Sequence, residues 1–386
     1  MSDIFVKSDQ IFYNNLKWLL YSGIRIGKGP DAGAIYGWKD LNPPSYPFIY
    51  SEATGYATTL LSWAYAELKE PAALQAAKEA SQWILKNMYN HLLTAGRARI
   101  DNFNKKKDLS SRIYAFDNGM IITGLLNLYK ITGDPNLLIT AENMAKALID
   151  RFFDGSRLIA VLDKSNKPVT DTEDDGTVKW STISGPYHSK LSLCLLDLSR
   201  STNNPYYSQV SDSICDYART LQEPNGRFIT NPDLNFTYLH PHLYACEGLV
   251  YAGIKQSNEK YSMAGLKGII WAIEQINSAT GGLPNNSSQN GVEQSDCSAQ
   301  LLRLMILCRS QLQKYFEDSV LDSIIDRLHL RLLDFCISAG KDKGAMKYQL
   351  AMESACSWCT IFSTQAFRFW NKTRKLQKTV SMEYYA

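Results

Sequence analysis

The sequence is expected to fold as an all-α protein, an (α/α)6 toroid of six helical hairpins closed on itself, and three observations lead there. A short polar turn recurs between an apolar stretch and an amphipathic one: Leu68-Lys69-Glu70-Pro71-Ala72, Thr132-Gly133-Asp134-Pro135-Asn136, Thr202-Asn203-Asn204-Pro205-Tyr206 and Ser257-Asn258-Glu259-Lys260-Tyr261. Units of this kind cannot bury their apolar faces alone and must stack on their neighbours. The count of helices then leaves one outer partner missing, which a closed ring can supply from the start of the chain. The last helix, carrying Trp358, Ile361, Phe362, Phe367 and Trp370, is also too apolar to cap an open solenoid.

Element by element, the segment 10–26 places Ile11, Phe12, Leu16, Leu19 and Leu20 at helical spacing. It is expected to pack beside the last helix, Met352 to Trp370. First-of-pair helices are expected to begin near Glu52, Asp117, Pro186, His240, Gln294 and Ala351, and second-of-pair helices near Ala72, Asn136, Pro205, Glu259 and Tyr315. The first set carries small residues and few charges (Ala53, Gly55, Ala57, Thr58 and Ala64; Ala245, Gly248, Ala252 and Gly253), as a helix contacted on all sides requires. The second set is amphipathic, as in Ala72 to Asn87 with Gln75, Lys78, Glu79, Gln82 and Lys86 on one face. First-of-pair helices should therefore line the axis.

Composition narrows the possibilities. A chain of 386 residues with 45% hydrophobic content can bury a large core, and no Pro/Ser-rich linker or charge block divides it, so 1–386 is expected to be one barrel domain. A net charge of +3 with both signs interspersed leaves no electrostatic footprint for nucleic acid or an anionic membrane. The one basic run, Lys105-Lys106-Lys107, is expected to be a solvated loop. No apolar stretch reaches the ~18–20 residues of a membrane span, and Met1-Ser2-Asp3-Ile4 does not open a signal peptide, so a cytoplasmic location is expected. The eight cysteines fall almost entirely inside helical segments, as small buried hydrophobes do; neither a disulfide framework nor a cofactor or metal is expected. Cys356-Ser-Trp-Cys359 is read as two core thiols one turn apart.

Connection length locates the functional face. First-to-second connections are the short polar turns, whereas second-to-first connections run 27–51, 90–116, 154–185, 223–239, 277–293 and 339–350. Loops of this length usually bind or catalyse, and here all reach the starts of the inner helices. Most carry a glycine (Gly33, Gly96, Gly155, Gly226, Gly281, Gly344), read as a helix stop.

Polar residues at those helix starts form the candidate site: Glu52 and Tyr56; Asp117; His188 and Lys190; His240, His242, Tyr244 and Glu247; Asp296 and Gln300. Buried ionisable groups are costly unless paired or met by a ligand. Glu52, Asp117 and Asp296 have a plainer role open to them as helix N-terminal capping groups, worth about 0.5–2 kcal/mol each. Loop aromatics (Trp38, Trp180, Tyr36, Tyr46, Tyr50, Phe103, Tyr114, Phe228, Phe236, Tyr238) offer flat faces for the C–H face of a sugar. An aromatic-walled, oxygen-rich funnel with paired carboxylates is what glycosidic chemistry demands. Asp117, flanked by Tyr114-Ala115-Phe116 and Asn118-Gly119, is expected to be the general acid with Glu52 as its carboxylate partner. His242 and Glu247 are expected to take part, with Tyr56, Trp38, Trp180, His188, Lys190, His240, Tyr244, Asp296 and Gln300 holding substrate.

Taken together, Ser51-Glu52-Ala53-Thr54-Gly55-Tyr56, Phe116-Asp117-Asn118-Gly119 and His242-Leu-Tyr244-Ala-Cys-Glu247-Gly248 resemble inner-helix starts of the six-hairpin glycosidase superfamily, which includes unsaturated glucuronyl hydrolases and sugar epimerases. The branch most similar accompanies polysaccharide-biosynthesis enzymes. The resemblance implies that Asp117 matches the aspartate with which unsaturated glucuronyl hydrolases protonate a vinyl ether; their second catalytic aspartate has no match here. It implies a carbohydrate-active enzyme on a saccharide, an acidic one if Lys190, His188, Arg97 and Arg99 face the funnel. A lyase or epimerase, and a non-catalytic glycan-binding or scaffold barrel, stay open. Lanthionine cyclases share the double barrel and use a Cys/Cys/His zinc site, an alternative kept open by Cys246 and Cys297 near His240 and His242. Terpene cyclases are disfavoured, because no Asp-rich helix is present.

Overall fold

The recurrent turn is one physical device used four times. At Lys69, Gly133, Asn203 and Ser257 the backbone enters the left-handed region (φ 57°, 68°, 52° and 54°) and ends the preceding helix. The side chain that follows, Glu70, Asp134, Asn204 or Asn258, accepts a hydrogen bond from the backbone N–H two residues on and starts the next helix. In the first three a proline at the first helical position presets φ and gives up an N–H that had no partner there.

The computed structural model describes residues 2–89, 93–94, 97–99, 112–173, 175–374 and 380. Its helices are α1 (Ser2–Tyr21), α2 (Ser51–Leu68), α3 (Pro71–Lys86), α4 (Ala115–Thr132), α5 (Pro135–Phe152), α6 (Ser192–Thr202), α7 (Pro205–Thr220), α8 (Leu239–Gln256), α9 (Glu259–Glu274), α10 (Ser295–Leu307), α11 (Arg309–Leu312), α12 (Asp318–Asp334) and α13 (Ser357–Arg374). Helices α2, α4, α6, α8, α10 and α13 each touch the next, and α13 touches α2, so the inner ring closes. Each packs against its own outer helix: α3, α5, α7, α9 and α12 in turn, with α1 completing the pair for α13. Lys105-Lys106-Lys107 and Phe103 lie outside the described residues.

Closure is secured at several levels. At the short-turn end, Glu67 of α2 receives Arg368 Nη2 (2.9 Å) and Lys372 Nζ (2.6 Å) from α13, and Asn371 donates to Asp9 of α1 (2.7 Å). Burial pushes the Glu67 carboxyl up, but these two cations hold it below its ordinary range. At the opposite end, residues 354–356 pair antiparallel with 38–40, in register Trp38 with Cys356, and Ser357 Oγ donates to Gly37 O (2.6 Å). This strand displaces the start of the last inner helix from Ala351 to Ser357. Similar pairings of 48–50 with 97–99 and 112–114 with 161–163 give the long loops regular backbone partners. The first helix ends at Tyr21 rather than residue 26, where Gly23 turns the chain at φ 93°. The third inner helix opens as a tight 3-10 turn over Pro186–Leu191, and the last outer helix begins at Asp318, after α11.

Close approach is bought with glycine inside the ring. A Cβ on Gly124 would lie 2.7 Å from the carbonyl oxygen of Gly55, so the α2 and α4 backbones touch there. Among the described residues the loop glycines are not helix stops as expected; Gly96 lies outside them. Gly33, Gly226 and Gly344 turn at positive φ some way into their loops, each against a backbone carbonyl of the following outer helix (Glu79 of α3, Lys267 of α9, Asn14 of α1). The outer layer is thereby laced to itself, and Gly344 on Asn14 makes the last link.

Gly344→Ala should consequently destabilise the protein far more than Gly340→Ala. Both have positive φ (95° and 77°), but a Cβ at 344 would sit 2.3 Å from Asn14 O, while nothing lies within 4 Å of one at 340. The backbone penalty of ~1–2 kcal/mol is shared; overpacking adds about 1–3 kcal/mol at 344 alone. Thermal unfolding of the two variants, compared with the parent, measures the difference; equal midpoints would contradict the lacing contact.

Candidate functional site

At the barrel axis one carboxylate holds two cations. Glu247, one helical turn beyond Tyr244 on α8, faces Lys190 Nζ at 3.2 Å and Arg303 Nη2 of α10 at 3.7 Å, and both cations are 0% exposed. Lys190 also lies 3.5 Å from Tyr56 Oη and over the rings of Tyr56, Tyr244 and Phe362 (4.8, 4.2 and 5.3 Å). The Tyr56 hydroxyl donates to the Tyr244 hydroxyl at 2.7 Å. Burial pushes the Lys190 ammonium down to about 8, with Glu247 partly offsetting it. Burial likewise raises the Glu247 carboxyl against the pull of Lys190 and Arg303, and drives both phenols well up. Arg303 escaped the sequence reading, although a lone charge inside Leu301-Leu302-Arg303-Leu304-Met305 was a visible signal.

Nearer the loops lies a second layer. Glu52 is buried at the start of α2 and accepts from the Tyr50 hydroxyl; Asp117 is buried, 5% exposed, at the start of α4. Burial pushes the Tyr187 phenol far up and the charges of Asp117 and Glu52 push it the same way, so both carboxylates lie within electrostatic reach of one hydroxyl. The residues capping α2, α4 and α8 are tyrosines, Tyr50, Tyr114 and Tyr238, whose side chains make no capping bond. On the other wall His240 Nδ1 sits 3.0 Å from Asp296 Oδ2 and 3.0 Å from Gln300 Nε2. Asp296 also accepts from Trp358 Nε1 (3.1 Å) and from the backbone of Cys297 (2.8 Å). The donor atoms of His240, Asp296 and Cys297 lie within 4.8 Å of one another.

Aromatic rings wall this layer. Trp358 meets Trp38, Tyr50 and Tyr348 at 5.7 to 6.1 Å between centroids, and Trp180 meets Tyr187 and His240 at 5.3 and 6.1 Å. In the sequence Trp358 reads only as an apolar residue of the closing helix. Phe228 is no platform, since it is fully buried against His242. Arg97 and Arg99 are described only as backbone paired with Tyr50 and Phe48.

His242 is not in the site. Its Nδ1 accepts from the backbone N–H of Phe228 (3.3 Å) and its Nε2 donates to the carbonyl of Gly268 on α9 (2.9 Å), with Trp271 alongside at 4.7 Å. Positions 240, 244 and 247 share a helix face, and 242 is about 200° away from 240, which turns it outward. His188 is fully buried with both ring nitrogens lacking hydrogen-bond partners. Neither Cys246 nor His242 joins the His240 cluster. All eight cysteines are free thiols.

No family model and no curated protein matches the chain. Solved structures do match along nearly the whole length. The chain is similar to cellobiose 2-epimerase from Spirochaeta thermophila DSM 6192 (TM-score 0.73, 15% identity, 95% of this chain and 98% of that one). It is similar also to a D-mannose isomerase (0.71, 10%, 95% and 97%) and to the unsaturated glucuronyl hydrolase from Bacillus sp. GL1 (0.66, 11%, 95% and 98%). The closed toroid of six helical hairpins described above is the fold they share. No described helix is long and apolar enough to cross a membrane.

Three buried histidines make stability pH-dependent. Burial pushes His188 and His329 down to about 3 and His242 to about 4, below the ordinary 6.5. Folded, they stay neutral; unfolded, they take up protons below 6.5, so stability is complete above that value and is lost as pH falls from 6.5 toward 4. The loss is roughly 1.4 kcal/mol per pH unit for each histidine. Unfolding midpoints should fall between pH 7 and pH 5, with a shallower slope in His242→Gln; a flat profile in the parent would contradict this.

Proposed function

We propose that this chain is a saccharide-acting enzyme whose reaction is acid/base chemistry of the glycoside hydrolase kind, with Asp117 as proton donor and Glu52 as its carboxylate partner. The observation that carries the reading is the pair of buried acids at adjacent inner-helix starts, both within electrostatic reach of Tyr187. Both stand at the mouth of the inner ring, where a group that gives a proton to a leaving oxygen has to stand. The tryptophans beside them, Trp358 against Tyr50 and Trp180 against Tyr187, supply faces on which a sugar ring can stack. Fold supports the reading only as an analogy, because one barrel hosts many reactions; its structural neighbours named above include two that isomerise sugars and one that hydrolyses an unsaturated glucuronyl group.

A second reading, epimerase or isomerase, is favoured by one specific contact. The Tyr56–Tyr244 hydroxyl pair beside Lys190 is a hydrogen-bonded relay at the floor of the site, where a proton can be held next to an ammonium. Lyase chemistry can use the same groups. A non-catalytic glycan-binding barrel is the outcome if nothing turns over.

The test pairs two substitutions on a panel of unsaturated glucuronyl disaccharides, β-linked glucose disaccharides and mannose. Under the hydrolase reading, Asp117→Asn lowers turnover by ~10²–10⁴-fold and leaves KM nearly unchanged, whereas Tyr244→Phe has a much smaller effect. Under the epimerase reading the order reverses. Asp117→Asn at full turnover would remove the proton-donor assignment.

A further inference from the structure

We propose that His240, Asp296 and Cys297 form a zinc-binding site in the wall of the funnel. The three residues come from two adjacent inner helices, and their donor atoms already lie within 4.8 Å of one another. Tetrahedral zinc with nitrogen, oxygen and sulfur ligands places its donors about 3.3–3.7 Å apart, so the cluster needs to contract by only about 1 Å at its widest. The set is chemically selective. Imidazole, carboxylate and thiolate together suit zinc rather than magnesium or calcium, which take oxygen ligands. One carboxylate and one thiolate neutralise the dication, so a buried metal here leaves no net charge. Cysteine's proton leaves on binding, which makes binding release a proton.

A second observation is the hydrogen bonding of His240. His240 Nδ1 lies 3.0 Å from an acceptor, Asp296 Oδ2, and 3.0 Å from a donor, Gln300 Nε2. That nitrogen carries either a proton or a lone pair, so one of the two contacts is mismatched in each neutral tautomer. Gln300, 1% exposed, meanwhile leaves its Oε1 without a hydrogen-bond partner. A metal ion makes both Nδ1 and Oδ2 ligands, and the Gln300 amide then has to turn its Nε2 away from Nδ1, whose lone pair the metal takes. Trp358 Nε1 on Oδ2 and the Cys297 N–H on Oδ1 would then hold the carboxylate in place, as outer hydrogen bonds do at metal sites. His240 is 17% exposed by side chain, so the ion would have an open side toward the funnel. The proposal is independent of Asp117 and Glu52.

The test is cobalt and zinc titration of the chelator-treated full chain. Expected are one metal per chain by calorimetry, an intense near-ultraviolet thiolate-to-cobalt band, and visible bands of tetrahedral strength. Cys297→Ser should abolish the thiolate band, Asp296→Asn and His240→Ala should weaken binding at least tenfold, and Cys246→Ser should change neither. X-ray absorption of the zinc-loaded parent should show one sulfur among nitrogen or oxygen neighbours, a readout that does not depend on any variant folding. Absence of a cobalt band at equimolar metal, its survival in Cys297→Ser, or a zinc environment without sulfur would each overturn the site. The first of these would leave His240 and Asp296 as a hydrogen-bonded pair.

Discussion

Glu247 is the constraint around which the barrel is arranged. Its carboxylate stands between Lys190 and Arg303, so the turn before α6, α8 and α10 meet at one point. Lys190 then reaches Tyr56 of α2 and Phe362 of α13, and the Tyr244 ring packs against Phe116 of α4 at 4.7 Å. All six inner helices thus contribute to a single cluster. Removing one member of a buried ion group typically costs about 3–5 kcal/mol, because the partner is left charged and dry. Here the loss would be felt by every helix of the ring, so the polar floor also sets how the helices approach one another.

Much of the fold was legible because its determinants are local. The turn sequence Thr132-Gly133-Asp134-Pro135 states a left-handed stop, a capping side chain and a proline start in consecutive letters, and the structure uses each for that purpose. The apolar first helix and the apolar last helix likewise announced that each lacked a partner. What misled was information held between distant segments. Nothing local shows that residues 354–356 will be taken as a strand by residues 38–40, and the consequence is a last helix that starts later than its composition suggests. Gly226 and Gly344 looked like helix ends because glycine serves both there and wherever a loop must touch another backbone.

The candidate site was legible in outline and less so in side-chain direction. Helix starts and long loops pointed to Glu52, Asp117, Lys190, His240, Glu247 and Asp296, since parallel inner helices begin together. Direction around a helix follows a finer rule. His240 and His242 differ by two residues and by most of a half turn, which separates a funnel residue from one bonded to the α9 backbone. Arg303 was hidden because the middle of an inner helix is apolar on every side, so a charge there reads as an exception rather than as part of a pattern. The tyrosines before α2, α4 and α8 form a repeat of their own, invisible until the helix boundaries are known.

The pairing of α1 with α13 has a bearing on how the chain acquires its structure. The outer partner of the last inner helix leaves the ribosome before the other helices of the ring, and some 335 residues of synthesis separate Tyr21 from Ser357. Until α13 emerges, the face of α1 bearing Phe12, Leu16 and Leu19 lacks the helix that pairs with it, although Phe12 also meets Trp63 of α2. Contacts this remote in sequence form late and slowly, and exposed apolar faces are where nascent chains associate. A ring whose closing helices stand this far apart in sequence can close only after α13 has been made, whatever the earlier hairpins have done by then.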